Sequence, residues 1–418
     1  MNILKLLKKE KLLGIAVDCG FDGVKIDINK ATFKFPTYIF PLKSEDELIL
    51  NADESNDRII YSERQTNSAM DSYIIGSTAQ ALINHYPQDG PYKTLIENIK
   101  KLDVFFGMKE AIYMIRAAVA YSLIKYSEDN DIGFSLDDLE SYKIFLELSF
   151  PHSLRKQAFG YLKGPLSEKT MIDLQLNDEL YTISLNIDSD NISGSSQVLA
   201  VFNNMILTED GEPVDNFESV MNLLPTVIND GGYRTNGLGT IRKDNGLMVE
   251  HVNSYEEFAM IEVNKKVAKI INDRALESKV INYNPIKEYD IDQYIGSETD
   301  FIYDIEDSTR KLGKRRIRVK FDEISAIKDN VLREMSEKYC EFLINTYDIG
   351  NAKSLINAGG TGAAYADMIK EYITDYTDGE VEVIFVDNNY NGKEISPVFS
   401  IVVGAHKALM RTIKSLYD

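Results

Sequence analysis

The 418-residue chain carries 46 Lys and Arg against 66 Asp and Glu, and its formal charge of −20 opposes broad electrostatic adhesion to DNA or anionic lipid. At 44% hydrophobic and 27% charged, with no low-complexity block, it reads as a folded, soluble protein too long for one core, so two large domains or a pair of lobes are expected. Two cysteines, Cys19 and Cys340, exclude a disulfide framework or a Cys-based metal site and suit a reducing, cytoplasmic compartment.

Met1 to Leu13 (MNILKLLKKEKLL) lacks the unbroken apolar run and small-residue cleavage site of a signal peptide. It reads as a short lead-in to the first strand, with an amphipathic membrane-surface helix as the competing reading. From Gly14, GIAVDCGFDGVKIDI is two apolar runs joined by a Gly-containing turn, a hairpin signal. Residues 33 to 75 read as strands and loops of a small subdomain, and 93 to 127 as helical. IFLELSF (144 to 150) is strand-like and leads through Pro151 into a polar helix around 152 to 163; LYTISLNI (180 to 187) is another strand, and QVLAVFNNMI a helix. LPTVINDGGYRTNGLGTI (224 to 241) repeats the strand, Gly-rich turn, strand grammar of the first hairpin. Residues 255 to 345 show mainly helical patterns, interrupted by the basic stretch RKLGKRRIRVK (310 to 320). SLINAGGTGAAYADMIKEYI (354 to 373) reads as strand, glycine turn and helix, EVIFVDNNY as a strand and loop, and PVFSIVVGAHKALMRTI as a closing helix.

Three glycine turns carry the chemistry. In the first, Asp18, Gly20, Phe21, Asp22, Gly23 and Lys25 combine an acid at a strand end, glycines that bring backbone amides near an anion, and a lysine that meets phosphate as a point charge. An acid beside phosphate makes sense with a divalent cation and its waters between them. The second turn, Asp230, Gly231, Gly232, Tyr233, Arg234, Thr235 and Asn236, repeats the pattern, so that two hairpins can grip a polyphosphate. The third, Asn357 to Gly362 with Gly359, Gly360 and Thr361, opens a helix where the backbone can approach a ligand. Taken singly, each turn is also an ordinary tight turn.

Together the turns resemble the phosphate-1, phosphate-2 and adenosine motifs of the actin, sugar kinase and Hsp70 superfamily, from Gly14 to about Lys407. The resemblance implies an α/β actin-like fold of duplicated ribonuclease H-like lobes, with the nucleotide in the interlobe cleft. It places Asp18 and Asp230 at the waters of Mg2+, Lys25 on phosphate, and Gln197, opening the helix after SS, as the side chain that orients the attacking water. Glu256 and Lys265 fall where such proteins contact ribose and base. YIIGSTA (73 to 79) and PVFSIVVGAHKA (397 to 408) resemble segments of the plasmid-segregation actins of the ParM type, although Asn236 stands where Asp or Thr is frequent and Ile401 where Asn is frequent.

From this resemblance the first lobe is expected over 1–210, with a subdomain insertion at about 31–92 and completion by about 392–418. The second is expected over 211–391, with an insertion at about 246–350. The implied function is a polymerising ATPase, or GTPase, whose homopolymer filaments segregate plasmid DNA through a DNA-binding adaptor, with no direct nucleic-acid or membrane contact. The alternatives are a monomeric small-molecule kinase of the same superfamily and a cell-shape or division scaffold. The basic run Arg310, Lys311, Lys314, Arg315, Arg316, Arg318 and Lys320 reads as a solvated loop, and His85, His152, His251 and His406, in no metal-ligand spacing, as structural.

Overall fold

The first helix, α1 (Ile3–Glu10), is capped by Asn2, whose Oδ1 accepts the Leu4 amide at 2.9 Å, and it ends where Lys11 takes a left-handed conformation (φ 51°). Its apolar residues recur at helical spacing, and Ile3, Leu6 and Leu7 are buried in the same core as the strand that follows. The lead-in is therefore a helix, and its apolar face is covered by the protein itself. Burial of these three side chains contributes about 1.5–3 kcal/mol each.

β1 (Leu12–Cys19) is buried along its whole length, as a strand covered on both faces must be. It pairs antiparallel with β2 (Val24–Ile28), which pairs with β3 (Ala31–Phe35) through a turn at Asn29 and Lys30, both at positive φ. In the computed structural model, residues 2–20, 23–42, 58–63, 72–85, 94–95, 98, 101–277, 280–282, 285–288, 290–306, 314–347 and 349–417 are described. Next come β4 (Ile39–Pro41), β5 (Ile59–Glu63), β6 (Ser72–Ile75) and the long buried helix α2 (Lys109–Glu128). β7 (Lys143–Phe150) lies parallel to β1, and after α3 (Arg155–Leu166) the chain forms β8 (Thr170–Leu176), β9 (Glu179–Leu185) and β10 (Ile192–Ser196), then α4 (Gln197–Ile206).

These strands build two sheets. The main one runs β10-β7-β1-β2-β3, and a smaller antiparallel one runs β4-β6-β5-β8-β9. β3 thus closes the main sheet, and the small sheet draws on two separate stretches of sequence.

The second unit repeats the first in its main sheet. β11 (Thr226–Gly231), β12 (Asn236–Lys243) and β13 (Leu247–Tyr255) form the antiparallel side. β17 (Ser354–Ala358) and β18 (Glu382–Phe385) add in parallel, giving the order β13-β12-β11-β17-β18. α5 (Met260–Glu277) and α6 (Phe321–Asn345) pack a separate core with Val227, Leu238 and Leu355.

Between those helices the mainly helical expectation fails. β14 (Val280–Asn282), β15 (Phe301–Glu306) and β16 (Lys314–Val319) form a three-stranded antiparallel sheet. In β16 buried Val319 and partly buried Ile317 alternate with exposed Arg318, which pairs with Asp300 at 3.3 Å. The charge run masked a strand period of two. The basic stretch is therefore strand from Lys314 to Val319, and its start, Arg310 and Lys311, lies outside the described residues.

α7 (Gly359–Ala364) and α8 (Ala366–Tyr376) follow β17. The chain then returns to the first unit through the short hairpin of β19 (Asn389–Tyr390) and β20 (Lys393–Glu394) and through α9 (Ser400–Tyr417). α9 crosses α4 at Gly404, where a Cβ would lie 1.8 Å from the Ala200 carbonyl oxygen. By density of contacts the units are Met1–Asn222 with Val386–Asp418, and Leu223–Phe385. Among the described residues no helix is long and apolar enough to cross a membrane.

Candidate functional site

Parallel pairing of β10, β7 and β1 brings three distant stretches of the first unit to one end of the sheet. Asp18 stands opposite Lys25 of β2 and opposite Ser149 of β7. Lys25 Nζ lies 3.8 Å from Asp18 Oδ2, with both side chains almost wholly buried. Gln197, the first residue of α4, donates from Nε2 to Asp18 Oδ1 at 2.9 Å. Asp18, expected at the metal waters, thus contacts both Lys25, expected on the phosphate, and Gln197, expected to orient the attacking water.

A buried ion pair costs desolvation and is weak evidence of stability, so its presence at a strand end calls for another account. Among the described residues no three His, Cys, Asp or Glu side chains gather. One buried carboxylate beside a lysine and a carboxamide fits a hard divalent cation held through its waters. Gly20 and Gly23 flank the turn. The Gly20 carbonyl accepts a hydrogen bond from the Thr37 hydroxyl, and a Cβ on Gly23 would lie 2.6 Å from the Lys34 side chain. Phe21 and Asp22 lie outside the described residues. The Cys19 thiol is pushed far up, first by burial and then by the Asp18 charge, so it stays a thiol.

In the second unit Asp230 is the penultimate residue of β11, beside Gly237 of β12 and Ala358 of β17. Here the glycines serve a backbone packing that the sequence did not reveal. A Cβ on Gly231 would lie 2.1 Å from the Gly362 nitrogen, and one on Gly359, at φ +78°, 2.5 Å from the Gly231 carbonyl oxygen. The second and third glycine turns are therefore one structure. Thr361 locks it by donating from Oγ1 to the Gly232 carbonyl at 2.7 Å, and the Gly232 amide donates to the Thr235 carbonyl at 2.9 Å. Gly360 follows in the first turn of α7.

Tyr233 ties the hairpin to α5: its carbonyl accepts the Ile261 amide at 2.7 Å and its hydroxyl accepts from Asn264 at 3.3 Å. Arg234 and Thr235 are half-buried in the same turn. Asn236 is turned inward and fully buried, donating to the Phe258 carbonyl at 3.4 Å. Glu256 and Lys265 are exposed, and Lys265 pairs with Glu262 on its own helix.

A second layer of residues stands behind these. Behind Asp230, Asn229 donates to Asn357 Oδ1 at 2.8 Å and accepts from the Tyr339 hydroxyl at 2.8 Å, while the buried Asn357 Nδ2 has no hydrogen-bond partner. Behind Asp18, the buried Ser149 hydroxyl is likewise unpartnered, and His152 Nδ1 lies 3.2 Å from Ser196 Oγ. Ser149 and Asn357 lie at the ends of strands parallel to the hairpin strands, His152 follows β7 and Ser196 ends β10.

No family model and no curated protein matches the chain. Solved structures do. A ParM filament from Clostridium botulinum is 14% identical, with 96% of this chain and 99% of that one covered and a TM-score of 0.59. ParM from Bacillus thuringiensis with AMPPNP is 14% identical over 97% and 99%, at 0.55. An archaeal actin homolog is 14% identical over 95% and 98%, at 0.58. The chain has the actin-like fold of the ParM type.

Proposed function

We propose that this protein is a nucleotide-dependent polymerising protein that forms dynamic homopolymer filaments, with hydrolysis of ATP or GTP controlling their disassembly. The observation that carries this reading is the meeting of Asp18, Lys25 and Gln197 at the end of β1, with the same hairpin repeated around Asp230. Lys25 and the hairpin amides would bind phosphates, and Asp18 in the first unit and Asp230 in the second, each at the hairpin of its own unit, are the residues that would hold waters of magnesium. When bound, that ion supplies charge neutralisation at the β- and γ-phosphates. Gln197, anchored through Nε2 on Asp18, keeps its carboxamide oxygen for the attacking water, which it orients without acting as a base. The Gly231–Gly359 packing fixes the second hairpin against α7 and so supplies the rigidity such positioning needs.

Filament formation is supported by the likeness to ParM, of which one neighbour is itself a filament. Segregation of plasmid DNA through a DNA-binding adaptor, in the cytoplasm, is the role proposed for those filaments; the net charge of −20 is the reason to place an adaptor between filament and DNA. Burial of the apolar face of α1 removes the feature that favoured a membrane-associated scaffold. Asp230→Ala tests the site. Phosphate release should fall to background while the circular dichroism spectrum is unchanged; unchanged turnover would remove Asp230 from the site.

A further inference from the structure

Helix α4 begins without the cap its sequence offers. Ser196 stands at the N-cap with extended backbone (φ −82°, ψ 137°), yet its hydroxyl makes no hydrogen bond to its own helix. The hydroxyl is instead buried and directed to His152 Nδ1, 3.2 Å away, on the turn that leads into α3. The next residue is Gln197, whose Nε2 is spent on Asp18. Ser149, in register with both Asp18 and Ser195, holds a buried hydroxyl with no partner at the same strand ends.

We propose that His152 is a positioning residue for Gln197: through the Ser196 hydroxyl it fixes the first turn of α4 and with it the carboxamide that orients the attacking water. This inference rests on the nucleotide reading above. A neutral imidazole with its proton on Nε2 accepts the Ser196 proton at Nδ1. A protonated ring must donate there, which reverses the bond and turns the serine proton away. Burial, and then the Arg155 charge, hold the His152 pKa below its usual value, so the neutral form prevails at pH 7. Arg155 of α3 is the charged group acting on the ring. β7 brings Glu147, which accepts from Ser193, and β1 brings Asp18, held by Lys25 and Gln197. β10 and α4 bring Ser195, Ser196 and Gln197.

The test is steady-state phosphate release by the full chain with Mg-ATP, between pH 5.5 and 8.5, for wild type, His152→Ala and His152→Gln, with thermal unfolding alongside. His152→Ala should lower kcat about 10-fold, the worth of one well-placed hydrogen bond, with KM and Tm little changed. Glutamine, which can accept from Ser196, should restore most of kcat. Wild type should lose activity on the acid side, and both variants should lack that limb. Wild-type kcat and pH profile in His152→Ala would overturn the inference, as would equal losses in both variants accompanied by a lowered Tm. No turnover in wild type would instead overturn the nucleotide reading, and this inference with it.

Discussion

Asp27 on β2 is completely buried. Its Oδ1 accepts the Lys30 amide at 3.0 Å; Oδ2 has no hydrogen-bond partner and lies 3.7 Å from Nδ1 of the equally buried His406, itself 3.0 Å from the Tyr390 hydroxyl. Burial pushes the Asp27 carboxyl up to about 8, against the opposing pull of the nearby Tyr390 hydroxyl and of the Lys30 amide, and pushes His406 down to about 3. Both groups are therefore neutral at pH 7. An unfolded chain ionises Asp27 near 3.8, so the folded state binds one more proton between pH 3.8 and about 8, and the contribution of this group to stability falls as pH rises through that window. At pH 7 the penalty is about 4 kcal/mol, 1.36 kcal/mol for each pH unit above 3.8. Asp27→Asn keeps an oxygen for the Lys30 amide and never ionises. Urea unfolding of wild type and Asp27→Asn at half-unit steps from pH 4.5 to 8.5 should show the variant more stable by up to about 4 kcal/mol at pH 7, with the gain shrinking toward pH 4. A difference that is constant with pH, or a variant less stable than wild type at pH 7, would refute this account of the core.

Gln197→Ala should slow phosphate release by about 10²-fold, the scale of losing a preorganised group at a reacting centre, while assembly persists and turbidity decays later. Gly359→Ala places a Cβ on the Gly231 carbonyl at a positive φ; overpacking of about 1–3 kcal/mol should lower the thermal midpoint and weaken fluorescent-nucleotide binding together. Leu7→Ala should cost about 2–5 kcal/mol in urea unfolding and leave vesicle sedimentation at background, because that side chain faces the core.

What the sequence disclosed depended on whether local pattern and tertiary role agreed. The hairpins of β1–β2 and β11–β12 were legible because apolar runs flank Gly-rich turns, and α4 was read from its own periodicity to its first residue. β8 and β13 were missed: β8 is a run of buried residues between half-buried ones and β13 mixes half-buried and exposed positions, so neither leaves a clean alternation to read. β16 was hidden by its charges, while α1 was weighed only as a membrane-surface helix, although its lysines occupy the exposed side of a helix whose Leu6 and Leu7 are buried in the protein's own core. At the site, Asp18, Lys25 and Gln197 could be named from their motifs. The partners behind them, Ser149, His152, Ser196 and Asn357, become visible only when parallel strands set their ends side by side. The glycines of the second and third turns were read as making room for a ligand, and Gly231, Gly359 and Gly362 also make room for one another, a contact between residues far apart in the chain.

Light scattering with parallel phosphate release, on purified protein mixed with Mg-ATP, Mg-GTP or no nucleotide, tests the central claim most directly. A nucleotide-triggered rise in scattering that decays as phosphate appears is the predicted result. Phosphate release with flat scattering at all concentrations would contradict the filament and favour a kinase-like monomer, and silence in both channels would contradict the nucleotide site itself.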